Sequence, residues 1–284
     1  MAYNSCRLDL PSTFMGTLNW NRLQQQLRVA TCGVIVASSI GLSWASQSPQ
    51  TSTVPFDLQG TKRIVCLGDS ITQIGEGPGG YVWLLRHYLN DLYPQQGIEV
   101  INAGISGNKS TDMIARFQTD VLDKKPDLLT ISVGVNDVWH GFYDNHPLGD
   151  GPRGVKLEDY RQNVDTMIRR AQSSGIRVVI LSATVIHEDL KDPMNIKAEK
   201  YNSALKDLAK QYRLPFVDYQ KAFRAIISAY RLNAGGRDNL LTVDGVHMNA
   251  EGNKVMAHAL LTTLGVPPEV QASVDGQIAK EEKG

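Results

Sequence analysis

Residues 63–72 read Arg63-Ile64-Val65-Cys66-Leu67-Gly68-Asp69-Ser70-Ile71-Thr72. Four uncharged apolar residues in a row, closed by Gly-Asp-Ser turn chemistry, describe a short strand buried on both faces that ends in a tight bend. Cys66, inside that run, reads as a buried structural thiol rather than a nucleophile. Similar runs recur downstream at 98–102, 127–133, 176–182 and 215–218. Between them lie helix-length amphipathic stretches at 80–93, 111–123, 157–174, 195–212 and 219–231, and a last one spans about 249–264. In the third, Leu157, Tyr160, Val164, Met167, Ile168 and Ala171 recur at three-and-four spacing, which gives one buried face. Strand and helix alternating through short connections predict an α/β fold, a parallel five-stranded sheet with helices on both faces. Functional sites in such sheets form beyond the carboxyl ends of the strands.

The chemistry-bearing residues fall at those ends. Gly68-Asp69-Ser70 follows the first strand, Asn102-Ala103-Gly104-Ile105-Ser106-Gly107 the second, and Gly134-Val135-Asn136-Asp137 the third. Asp244-Gly245-Val246-His247 comes near the carboxyl end of the chain. Taken singly, each is weak: Gly-Asp-Ser is a common turn, and Asn136 could simply cap a helix. Together they supply an acyl-transfer site. Ser70 is a nucleophile that needs a base, His247 is that base, and Asp244 on the same short loop orients it. The oxyanion of a tetrahedral intermediate needs pre-aimed donors. The Ser70 and Gly107 backbone N–H groups and the Asn136 side-chain amide are the three candidates. Trp139, Phe142 and Tyr143, in the long loop after the third strand, are candidate substrate contacts and equally candidate packing residues.

With Ser70, Gly107, Asn136 and His247 in this order, the sequence resembles the SGNH hydrolases, also called the GDSL family, over roughly residues 62–264. The first block reads Gly-Asp-Ser-Ile where the family name ends in Leu; Gly-Val-Asn-Asp and Asp-Gly-Val-His match without departure. The resemblance implies a flavodoxin-like three-layer α/β/α fold and ester hydrolysis without metal or cofactor. It also implies that the three oxyanion donors serve in that role. Small acyl groups, such as acetyl esters on carbohydrate, are the expected substrates. Lysophospholipid or acyl-thioester hydrolysis is the alternative within the same chemistry, and a catalytically silent glycan binder the alternative outside it.

Other readings lose on residues. The balance of 29 Lys+Arg against 29 Asp+Glu lacks the basic excess of a nucleic-acid binder. Gly104-Ile105-Ser106-Gly107-Asn108-Lys109-Ser110 approaches a phosphate loop, but its lysine follows Asn108 and the spacing is wrong. His140, Asp144 and His146 share a polar, glycine-bearing loop, where such residues collect by chance, so no metal site is expected. His87 and His258 read as packing or surface residues.

The ends of the chain have their own character. Arg22 and Arg28 precede Val29–Ala45, an uncharged stretch of 17 residues closing in Ser43-Trp44-Ala45. That pattern favours a signal peptide over residues 1–45, cut after Ala45, and therefore export to the periplasm or the extracellular space. An uncleaved membrane anchor is the alternative, although the segment is short for a span. Residues 46–60, rich in Ser, Thr, Gln and Pro, read as a linker to a hydrolase domain at 61–266. Residues 267–284 read as a loosely held polar tail.

Overall fold

The computed structural model describes residues 57–234 and 239–281. The leader at 1–45 and residues 46–56 of the linker lie outside them. The apolar runs form five strands: β1 (Arg63–Gly68), β2 (Glu99–Gly104), β3 (Leu128–Ser132), β4 (Arg177–Leu181) and β5 (Phe216–Val217). All neighbours are parallel, in the order β2-β1-β3-β4-β5. Ile64, Val65, Cys66 and Leu67 are fully buried, as are Leu128, Leu129 and Ile131 beside them. Strands covered on both faces gain from continuous apolar side chains rather than alternation, which is why these runs show no period of two. Burial pushes the Cys66 thiol up to about 11, leaving it an inert packing group.

The helices are α1 (Ser70–Ile74), α2 (Tyr81–Leu92), α3 (Ser110–Ala115), α4 (Phe117–Asp120), α5 (Val135–Trp139), α6 (Leu157–Ser173), α7 (Pro193–Tyr212), α8 (Tyr219–Ala234), α9 (Ala250–Thr263) and α10 (Pro268–Glu281). Helix α9 contacts α2, α8 and α10, while α6 contacts α3 and α7, and α5 contacts α7. These are two separate helical layers on the two faces of the sheet, a three-layer α/β/α architecture. From β1 the chain crosses to β2 on one side and then back to β3 on the other. The connections diverge at β1, where a crevice opens beyond the strand ends.

Three expectations need correcting. The helix expected at 111–123 is broken into α3, α4 and a 3₁₀ turn at Leu122–Lys124. The break falls at Arg116, whose backbone leaves helical geometry while its guanidinium donates to Gly68 O and Ala103 O at 2.9 and 2.8 Å and to Asn108 Oδ1 at 2.7 Å. One arginine thus ties the β1 and β2 ends to the loop between β2 and α3. The tail is also not loose. Pro268 opens α10, and Gln271 and Val274 are buried; Gln271 Nε2 donates to Val266 O at 2.8 Å. A polar composition concealed the two inward positions three residues apart. Finally, the end of the expected linker is anchored: Leu58 is buried, and Asp57 O accepts from Arg177 at 2.5 Å.

Candidate active site

Ser70 is the first residue of α1, directly after β1. Asp69 caps that helix by accepting from Ile71 N at 2.9 Å, which fixes the bend and lifts Ser70 onto the carboxyl rim of the sheet. Gly68 and Gly104, paired in the β1–β2 register, make the bend tight enough. A side chain on Gly104 would lie 2.2 Å from Gln73 N and 2.8 Å from Asp69 O, so only glycine lets the two turns approach this closely.

His247, the candidate base, arrives from the far end of the chain. Thr242 and Met248 form an isolated antiparallel bridge, with Val243 N donating to His247 O at 2.9 Å, and the residues between them make a narrow turn. Within it Asp244 Oδ1 accepts from Val246 N and His247 N at 2.9 and 2.7 Å, while Oδ2 lies 2.7 Å from His247 Nδ1. His247 Nε2 lies 2.9 Å from Ser70 Oγ. With Nδ1–H given to the carboxylate, Nε2 is left to accept the serine proton. Burial pushes the Asp244 carboxyl up, but the hydrogen bonds from His247 and Val246 outweigh it and hold the group down at about 2. It therefore stays charged wherever an imidazole can act as a base.

The other candidates stand around this line. Gly107 adopts φ +76°, with open space where a side chain would be. Asn136 is the second residue of α5, and Gly134, not Asn136, is the cap. Its Nδ2 donates to Asn108 O at 3.0 Å, which places the amide beside the Gly107–Asn108 loop. Trp139 and Tyr143 meet edge to face at 5.9 Å, and the Arg153 guanidinium covers the Tyr143 ring at 4.5 Å. Lys109 Nζ donates to Arg153 O at 3.0 Å, so this aromatic group is tied to the Gly107 side. Burial, then the charges of Lys109 and Arg153, lower the His140 imidazole. Phe142 departs from the group. It lies against Gly149 and lines a cleft of about 980 Å³ with Leu148, Ile196 and Lys197, a lining that includes none of Ser70, Asp244 and His247. Among the described residues, no group of three or more His, Cys, Asp or Glu is placed to hold a metal ion.

Two buried acids near the site were not singled out from the sequence. Asp137 accepts from the backbone and hydroxyl of Ser110. Glu188 accepts from Leu240 N, Leu241 N, Thr242 N and Thr242 Oγ1. In the sequence Asp137 is visible only as part of Gly-Val-Asn-Asp, and Glu188 lies in no motif.

The model of the GDSL-like lipase/acylhydrolase family matches residues 66–255, from the middle of β1 into α9. The chain belongs to this family. An acetylxylan esterase of Geobacillus stearothermophilus is 31% identical over 215 residues, covering 72% of this chain and 94% of that one. An isoamyl acetate-hydrolyzing esterase of Saccharomyces cerevisiae is 23% identical over 72% of this chain and 86% of its own length. A crystal structure of the Geobacillus acetylxylan esterase superposes with a TM-score of 0.63 at 29% identity, covering 74% of this chain and 96% of that one. An α/β hydrolase from the metagenome of Lake Arreo, Spain, also gives a TM-score of 0.63 and 29% identity, over 73% and 96% of the two chains. As a GDSL family member with esterases as relatives, the protein is a carboxylic ester hydrolase.

Proposed function

We propose that this esterase removes acetyl and other short acyl groups, carbohydrate esters among them, through Ser70, His247 and Asp244. The observation that carries the mechanism is the continuous line Asp244 Oδ2–His247 Nδ1 at 2.7 Å and His247 Nε2–Ser70 Oγ at 2.9 Å. Ser70 Oγ attacks the ester carbonyl as its proton passes to His247 Nε2. The oxyanion is received by the Ser70 and Gly107 N–H groups and the Asn136 amide. Collapse expels the alcohol, which takes the proton from His247, and leaves an acyl-serine. Water then attacks that ester, again giving its proton to His247, and the acid departs as Ser70 recovers its hydrogen. The acetylxylan esterase relative supports the acetyl and carbohydrate reading. Its solved variants described as catalytic mutants replace a serine, a histidine and an aspartate by alanine. Trp139, beside the Gly107 loop, suits stacking on a sugar ring, while Tyr143 is already covered by Arg153 and stacked on His140.

Two assays test this. Ser70→Ala, folded as judged by its melting curve, should lose p-nitrophenyl acetate turnover by orders of magnitude, as should His247→Ala. Full activity in Ser70→Ala would remove the assignment. Acetate and butyrate esters should turn over faster than laurate, because a long chain gains rate only where apolar wall exists to cover it. Faster laurate turnover would move the substrate to lipids.

We also propose that the protein is exported. The reading rests on the Arg28, Val29–Ala45 and Ser43-Trp44-Ala45 pattern, and a lipoprotein of Bacillus subtilis, 26% identical, is among the relatives. Among the described residues, no helix is long and apolar enough to cross a membrane. Mass spectrometry of protein from the native host should find a chain beginning near Ser46; an intact amino terminus in a soluble fraction would contradict export.

A further inference from the structure

The turn carrying Asp244 and His247 is closed by its own backbone and Asp244 bonds, but these bonds all lie within the turn. The Asp244 side chain is 52% exposed and that of His247 24%, and pairs so open to water contribute little to their own geometry. Something more deeply buried must fix the turn that carries them.

Glu188 is 3% exposed, and among the described residues no Lys, Arg or His pairs with it. Its charge is met instead by four hydrogen-bond donors. Oε2 accepts from Leu240 N at 2.7 Å, and Oε1 accepts from Leu241 N, Thr242 N and Thr242 Oγ1 at 2.8, 2.9 and 2.8 Å. Three successive backbone amides turned to one acid make a small anion-binding concavity, here filled by the protein's own side chain. Leu240–Thr242 is the segment running directly into the Asp244 turn, with Thr242 in the bridge to Met248. The neighbouring residue holds the tip of that turn, since His187 N donates to Gly245 O at 2.7 Å. The 186–189 segment is in turn pinned to α7. Asn195 Nδ2 donates to Ile186 O, His187 O and Asp189 O at 2.8, 3.1 and 2.8 Å, and its Oδ1 accepts from Ile186 N at 2.8 Å.

We infer that Glu188 is a positioning residue for catalysis, gripping the root of the 240–248 loop so that His247 is held within reach of Ser70. The inference rests on His247 being the base. Only a glutamate fits the place. Glutamine offers one acceptor oxygen and would turn its NH₂ toward an N–H that also donates, while aspartate is one methylene short. Because displacing a reacting group by about 1 Å can cost about 100-fold, loss of the grip should appear in kcat rather than in substrate binding.

The test uses the full chain with p-nitrophenyl acetate, together with the rate of phosphonylation by a fluorophosphonate, which reports the serine–histidine step alone. Glu188→Gln should fold, keep KM within about threefold, and lose about 10- to 100-fold in both kcat and phosphonylation rate. A merely structural role would lower the melting temperature and leave both rates of the folded protein unchanged. A folded Glu188→Gln with kcat within about twofold of the parent overturns the inference. Should that variant fail to fold, the Thr242 pair decides. Thr242→Val deletes one donor to Glu188 and should lower kcat about three- to tenfold at constant KM, and Thr242→Ser should restore it. Parental kcat in Thr242→Val would overturn the inference equally. Turnover surviving in Ser70→Ala would instead strike the triad itself, so the two failures are distinguishable.

Discussion

The backbone N–H and the hydroxyl of Ser110 both donate to Oδ1 of Asp137, at 2.9 and 2.6 Å. The bond joins the start of α3, just past Gly107, to α5, which carries Asn136, and so sets the spacing of two proposed oxyanion donors. Its acceptor is a buried acid whose other oxygen, Oδ2, meets no partner. Burial pushes the Asp137 carboxyl up to about 6, against the pull of the two Ser110 bonds.

Asp137 should therefore weaken the fold as pH rises. Its folded value lies above the unfolded carboxylate value of about 3.9, so the stability it contributes is complete below about pH 4 and is lost as pH climbs through about 6. Asp137→Asn keeps an oxygen for Ser110 and cannot ionise. Its melting temperature should change less between pH 4.5 and 7.5 than the parent's, a difference of about 1–3 kcal/mol. Part of the slope should remain, because burial also raises Asp69 to about 6. Identical slopes in the two proteins would show that Asp137 titrates normally.

Asn136 separates catalysis from helix capping. Its amide donates to Asn108 O rather than accepting from the helix start, so an aspartate could not take its place as a harmless cap. Asn136→Asp and Asn136→Ala should each cut kcat by roughly 10²–10³ with little change in KM. The aspartate should be the more damaged of the two, because its charge repels both the oxyanion and the Asn108 carbonyl. An active, stable Asn136→Asp enzyme would refute the oxyanion role.

Gly104 and Gly107 should respond differently to alanine. At Gly104 the new methyl meets backbone atoms of α1 and of its cap, Gln73 N at 2.2 Å and Asp69 O at 2.8 Å, which cannot swing aside, so Gly104→Ala should cost about 3 kcal/mol or more in stability. At Gly107 there is open space and only the left-handed backbone, so Gly107→Ala should cost about 1–2 kcal/mol. Thermal melts of the pair check the order; a milder Gly104→Ala would mean that the two turns can move apart.

The parts of this molecule legible in its sequence are those that one segment decides by itself. β1 to β5 begin and end within about two residues of the apolar runs; in the central strands β1, β3 and β4 burial on both faces demands a largely apolar run, while the edge strand β2 shows only a short one around Val100 and Ile101. Ser70, Asn136, Asp244 and His247 stood out because each follows a strand or sits in a turn with characteristic residues. What escaped was set by distant partners. Glu188 takes its meaning from backbone amides 52 to 54 residues away, and an amide leaves no mark on composition. The break at Arg116 depends on carbonyls at Gly68 and Ala103, and the order of α10 on Gln271 finding Val266. Phe142 grouped with Trp139 and Tyr143 by proximity along the chain, yet one turn of backbone sends it to a different cleft.

Ser70 and His247, 2.9 Å apart, are separated by 177 residues along the chain. The proposed nucleophile leaves the first strand of the sheet; its proposed base precedes α9, after every strand has been laid down. All five strands thus precede the proposed base in the chain. On the proposed triad, ester turnover requires the 240–248 segment to be seated at the end of β1, so its recovery on refolding reports that seating and not the sheet alone.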